Sequence, residues 1–155
     1  MIKKITPEVS HLRSHIGYHL RVVSNAVSQS FAQKLAACNV TVAEWVILRE
    51  IYSENKTISP NVVAELTGLT RGAVSKLIDR LLRKELVTRA TAADRRYQEI
   101  ELTPKAMKLV PKLASIADEN DESFFSALTD TERKNLTKTL TKITQLHKLN
   151  KTPIE

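Results

Sequence analysis

Apolar residues recur along the first part of the chain at Val9, Leu12, Ile16, Leu20, Val23, Val27, Phe31 and Leu35, always three or four positions apart. That period matches one face of an α-helix, so a single long amphipathic helix is expected from Val9 to Leu35. At 1.5 Å per residue it would extend for roughly 40 Å, too far for one small core to cover. A partner chain is therefore expected along this stripe.

Thr41 and Glu44 have the Thr-x-x-Glu spacing of a capping box, which predicts a second helix from Val42 to about Tyr52 burying Trp45, Leu48 and Ile51. Ser59-Pro60 supplies an N-cap and a proline suited to the first helical position, so a short helix should run to Leu66 and end at Thr67-Gly68. Thr70 then caps a basic helix, Arg71 to about Lys84, with Val74, Leu77, Ile78, Leu81 and Leu82 on its inner side. Residues 87–89 and 98–102 read as two strands of a hairpin whose tip carries Asp94-Arg95-Arg96. Thr103-Pro104 restarts helix to about Leu128, with Pro111 expected to kink it. Thr129 and Glu132 form another capping box before a last helix carrying Leu136, Leu140, Ile143 and Leu146.

Ala64, Gly68 and Val74 stand at helix-turn-helix spacing. A small residue lets the second helix cross closely, a glycine suits the positive φ of the tight turn, and an apolar residue returns to the shared core. The second helix then leaves Arg71, Gly72, Ser75, Lys76 and Asp79 on its outer face, with Arg80 and Arg83 towards the flank. Short polar side chains and a glycine near its start would let it approach a DNA major groove. The DNA-contacting candidates are Ser59, Asn61, Thr70, Arg71, Gly72, Ser75, Lys76, Arg80, Arg95 and Arg96.

Composition supports a mostly α chain: of 155 residues only three are Gly and five Pro. That length fits one domain, 1–155. The net charge of +7 points to an anionic partner, and its distribution says more. Residues 68–98 hold eight Lys or Arg against three acidic residues, whereas 99–155 is neutral. No apolar run suits a membrane span or a signal peptide, so no membrane association and a cytoplasmic location are expected. One cysteine, Cys38, excludes an internal disulfide. There is no Gly-rich phosphate loop and no convincing Ser, His and Asp set, so an enzyme is not expected, and no cofactor is called for.

The run from Trp45-x-x-Leu48 through VVAELTGLTRGAVSKLIDRLLRKELVTR to DRRYQEIELTPKA resembles the MarR (multiple antibiotic resistance regulator) family of bacterial transcription factors. The strongest part covers about residues 41–106. The resemblance implies a winged helix-turn-helix over 41–103 with a two-stranded wing. It also implies long N- and C-terminal dimerisation helices in 5–37 and 104–149, and a homodimer astride a pseudopalindromic double-stranded operator. Asp94 and Arg96 match the family's Asp-x-Arg wing pattern, with Asp94 orienting the Arg96 guanidinium at the minor groove. In many relatives a small aromatic or anionic effector alters the spacing of the recognition helices, and a repressor so modulated is the expected function.

His15, Tyr18, His19 and Trp45 are the candidates for an effector pocket. His11, His15 and His19 recur every four residues, with His147 near the other end of the chain, but no acidic or cysteine ligand is interleaved and no metal site is assigned. Cys38 has no basic neighbour closer than Lys34 to activate it. Metal or redox sensing on the same fold, and a winged-helix module that docks on an acidic protein, are the alternatives.

Overall fold

The computed structural model describes residues 7–54, 57–90 and 99–155. Hydroxyl side chains open five of its helices: α2 (Val42–Glu54), α3 (Pro60–Thr67), α4 (Arg71–Arg83), α5 (Pro104–Phe124) and α6 (Asp130–Leu146). Thr41, Ser59, Thr70, Thr103 and Thr129 each accept a hydrogen bond from the backbone N–H three residues ahead, at 3.1–3.3 Å. Each satisfies a donor that a helix start leaves unpaired. Glu44 and Glu132 reach back to the N–H of Thr41 and Thr129 at 2.9 and 2.8 Å, closing both expected capping boxes.

The first helix, α1 (Ile16–Ala36), has no such cap and starts seven residues later than the apolar period suggested. Ahead of it lies a single 3₁₀ turn, Leu12–Ser14. The reason is local competition for carbonyls. Ser14 Oγ donates to the carbonyl of His11 at 2.6 Å, while Nδ1 of His15 and Nε2 of His19 lie 3.0 and 2.7 Å from the carbonyls of Leu12 and Arg13. Val9 and Leu12 are exposed there, 83% and 69%, so the core of the chain does not draw this segment into helix.

The wing strands β1 (Val87–Arg89) and β2 (Ile100–Leu102) pair antiparallel, Thr88 opposite Glu101. Alternation buries Val87 and Ile100 and leaves Thr88 and Glu101 outside. A third chain segment joins them: Ile58 and Ile100 exchange backbone hydrogen bonds of 3.0 and 2.9 Å, tying the start of α3 to the wing. The expected strand residue Gln98 and the whole Asp94-Arg95-Arg96 tip lie outside the described residues.

One core joins α1's end, α2, α4, β2 and α5 through Leu35, Ile47, Leu48, Leu81, Ile100 and Leu113. Of the inner residues expected on α4, Leu82 is only half-buried. The helix α5 continues across Pro111 as one element and stops at Phe124, short of Leu128. Phe125 caps it, and the next residues form a turn that leads into α6.

Candidate nucleic-acid interface

The helix-turn-helix is assembled by local chemistry. Gly68 takes φ 74° at the end of α3, where its N–H donates to the carbonyl of Ala64 at 2.8 Å. A side chain at that φ would be strained, so the turn needs glycine. Val74 is buried on the inner face of α4. The outer face therefore projects from a short, fixed crossing of two helices.

On that face Arg71, Gly72, Ser75, Lys76 and Asp79 are all exposed, and so are Asn61 and Thr70 nearby. A Cβ added to Gly72 would meet nothing within 4 Å. Nothing inside the chain requires glycine there, whereas an approaching duplex would gain from its absence of side chain. Ser59 is half-buried, its hydroxyl committed to capping α3.

Arg71, Ser75 and Asp79 also line a cleft of about 230 Å³ together with Pro60 and Arg89. Arg89 was not among the sequence candidates. It stands opposite Ile100 in the wing, on a strand that follows α4 directly and packs against it. Its place in the chain as one basic residue of a strand carries no such signal.

Arg80 has a second commitment. Its Nε lies 3.4 Å from Oε1 of Glu44, whose side chain is fully buried. Nζ of Lys84 lies 2.8 Å from the other carboxylate oxygen and also donates to the carbonyl of Asn39. Burial raises the pKa of Glu44, but the hydrogen bonds from Lys84 and Thr41 and the charges of Lys84 and Arg80 outweigh it and hold the carboxyl below its ordinary value. Glu44 thus joins the start of α2 to the far end of α4 while Arg80 stays partly exposed. The capping box was readable from spacing, but these two ion pairs were not.

The four effector-pocket candidates are not gathered in one chain. Trp45 packs edge-on against Phe31, ring centroids 6.3 Å apart. Tyr18 meets His19 edge-on at 5.4 Å near the other end of α1. Thirteen residues of helix separate Tyr18 from Phe31, roughly 20 Å at the usual rise. Beside Phe31 an open cleft of about 320 Å³ lies between α1 and α5, and Asn120 at its edge is buried and bonded to Ser30, Lys34 and the carbonyl of Val27. Among the described residues no three His, Cys, Asp or Glu side chains cluster as metal ligands. Cys38 is a free, half-buried thiol in the α1–α2 turn. Among the same residues no helix is long and apolar enough to cross a membrane.

Comparison with known proteins gives this arrangement a context. The MarR family model matches residues 39–96. The chain is 30% identical to MepR of Staphylococcus aureus, a transcription regulator of the multidrug efflux pump MepA, covering 84% of this chain and 97% of that one with a TM-score of 0.71. The structure of MepR bound to DNA superposes with a TM-score of 0.72, at 28% identity over 87% of this chain and 98% of that one. BpsR of Bordetella bronchiseptica, whose DNA binding is regulated by 6-hydroxynicotinic acid, is 25% identical over 88% of this chain and 98% of its own, with a TM-score of 0.74. A candidate regulatory protein for the hcr operon of Thauera aromatica shares 23% identity over 126 residues, 81% of this chain and 76% of that one. With 30% identity across nearly all of MepR and a family match laid over the helix-turn-helix itself, the chain belongs to the MarR family of transcription regulators.

Proposed function

We propose that the protein is a homodimeric repressor that reads a pseudopalindromic double-stranded DNA operator through α4 and releases it when a small effector binds. The observation that carries the reading is the exposed face of Arg71, Gly72, Ser75 and Lys76 on a helix held rigidly by its inner apolar side. Ser75 and Lys76 are assigned to base edges, Arg71 and Arg80 to bases or phosphates, and Asn61 and Thr70 to the flanking backbone. In this reading Arg96 of the wing enters or borders the minor groove with Asp94 fixing its direction, and Arg95 meets phosphate or stays solvated. A DNA-binding regulator with no helix among its described residues long and apolar enough to cross a membrane fits a cytoplasmic location.

The effector is assigned to the aromatic and imidazole groups Tyr18, His15, His19 and Trp45. Since one chain separates them, a shared pocket would be completed across the dimer. Ligand-regulated DNA binding in BpsR supports an effector of small aromatic or anionic type.

A competition gel-shift tests the DNA assignment. Ser75→Ala and Lys76→Ala should each weaken operator binding by about 1–3 kcal/mol and narrow its margin over random duplex. Arg96→Ala should weaken binding with the dimer intact, and Asp94→Ala should weaken it too, although losing a negative charge alone would tighten it. Unchanged affinity and selectivity in both α4 variants would reject the recognition helix. Binding with no preference among duplexes would favour a protein-docking module instead.

A further inference from the structure

The far end of α6 is built to redirect the chain. His147 caps the helix, Lys148 takes φ 52°, and the N–H of Leu149 returns to the carbonyl of Thr144 at 3.0 Å. A residue in the left-handed region followed by such a return bond closes a helix firmly, and here the residue is lysine rather than glycine. The chain that leaves this turn runs to α3.

There it meets carbonyls that a helix leaves without partners. The last turn of α3 gives the carbonyl of Ala64 to Gly68, but those of Glu65 and Leu66 have no partner in the helix. Nζ of Lys151 donates to the carbonyl of Glu65 at 2.7 Å, and the N–H of Thr152 donates to that of Leu66 at 2.9 Å. The stem of Lys151 lies over Gly68, its carbons 3.8 Å from where a Cβ would stand. An ammonium at a helix C-terminus is also favoured by the helix dipole.

At its other end α6 is held by Arg133, which pairs with both oxygens of Glu122 and donates to the carbonyl of Phe125. Between the two anchors Leu136, Leu140 and Ile143 stay 37–39% exposed, and α6 buries none of its residues. The helix is pinned at both ends and unfilled along its middle.

We propose that residues 148–152 form a strap that ties the dimerisation helix to the helix-turn-helix, with Lys151 as a positioning residue for operator binding. Whatever moves α6 at the dimer interface then pulls on the turn at Gly68, between α3 and the recognition helix. The inference rests on the DNA-reading and dimer assignments above.

The test uses the full chain with four substitutions. Lys151→Ala removes the ammonium, and Thr152→Pro removes the backbone donor and restricts the backbone there while keeping the charge. Lys151→Arg and Thr152→Ala keep both bonds. The first two should weaken operator binding roughly two- to tenfold, the range for loss of one capping hydrogen bond, with dimer mass and salt dependence unchanged. The last two should bind like the parent. Amide hydrogen exchange supplies the independent readout: the Thr152 N–H should be protected in the parent, and Lys151→Ala should speed its exchange. An unprotected Thr152 N–H, or parental affinity in both disruptive variants, overturns the strap. So does a loss confined to Lys151→Ala with a shallower salt dependence, which marks a phosphate contact. If the parent itself prefers no duplex, the DNA reading fails while Thr152 exchange still decides whether the strap exists.

Discussion

Helices α4 and α6 are of similar length and both carry an apolar stripe, yet they end in opposite states. In α4 Val74, Leu77, Ile78 and Leu81 are at most 4% exposed, whereas Leu136, Leu140 and Ile143 of α6 keep more than a third of their surface in water. The difference lies in what each stripe faces. The stripe of α4 meets a core supplied by α2, α3 and the wing of its own chain, and its outer face is left polar and basic. The stripe of α6 lines an open cleft against α5 at Leu136 and Leu140 yet keeps more than a third of its surface in water, as the stripe of α1 does at Ile16, Leu20 and Val23. A contiguous apolar surface of that kind marks an interface. On the proposed function, the chain combines a reading unit whose core lies within one chain with a coupling unit that a second copy completes.

Breaking the reading unit should have the largest effect. Leu81→Ala empties a fully buried site in α4 and should reduce unfolding free energy by about 2–5 kcal/mol. Urea unfolding at fixed protein concentration measures it. Leu140→Ala should act differently: its loss should grow as the protein is diluted, because its contacts are made by the dimer. Equal, concentration-independent losses in both variants would erase the contrast.

Glu44→Gln sharpens the reading unit's side of the comparison. The amide keeps the shape but leaves Arg80 and Lys84 without their counter-charge, for a loss of about 1–3 kcal/mol at neutral pH, moderated because both cations reach solvent. The folded carboxyl titrates below its ordinary value, so its contribution is present above the unfolded-state carboxylate pKa and disappears as pH falls through the folded value. Denaturation curves of parent and Glu44→Gln should accordingly converge on acidification. Curves that stay parallel to low pH would remove the ionised pair from the account.

Arg133→Ala should have the smallest effect. Its partner Glu122 is 72% exposed, and solvent-exposed pairs contribute little and are screened by salt. Thermal melts of the variant and parent should coincide at high ionic strength, and a large persistent loss there would mean that the α5–α6 turn is a stabilising element in its own right.

What was legible in the sequence was what short-range rules write. The caps at Thr41, Ser59, Thr70, Thr103 and Thr129, the turn at Gly68 and the inner stripe of α4 each depend on residues within one or two turns of one another. The exposed face of Arg71, Gly72, Ser75 and Lys76 follows directly once that stripe is placed. The unread features join distant segments through groups that every residue or many charged residues share. The Ile58–Ile100 pairing and the Thr152 to Leu66 bond are backbone contacts, and Glu44 finds Lys84 across 40 positions of sequence. The late start of α1 was hidden for a different reason. The apolar period of Val9 and Leu12 is genuine, but hydroxyl and imidazole side chains bond the local carbonyls of His11 and Leu12 in place of a helical turn.

In the proposed dimer two reading units are spaced by one shared coupling unit. Sedimentation velocity tests this arrangement most directly, first on the free protein at low micromolar concentration and then on its complex with a pseudopalindromic duplex. A dimer is expected before DNA is added and one dimer per duplex afterwards. A stable, folded monomer that binds a half-site as tightly as the full site would contradict this arrangement.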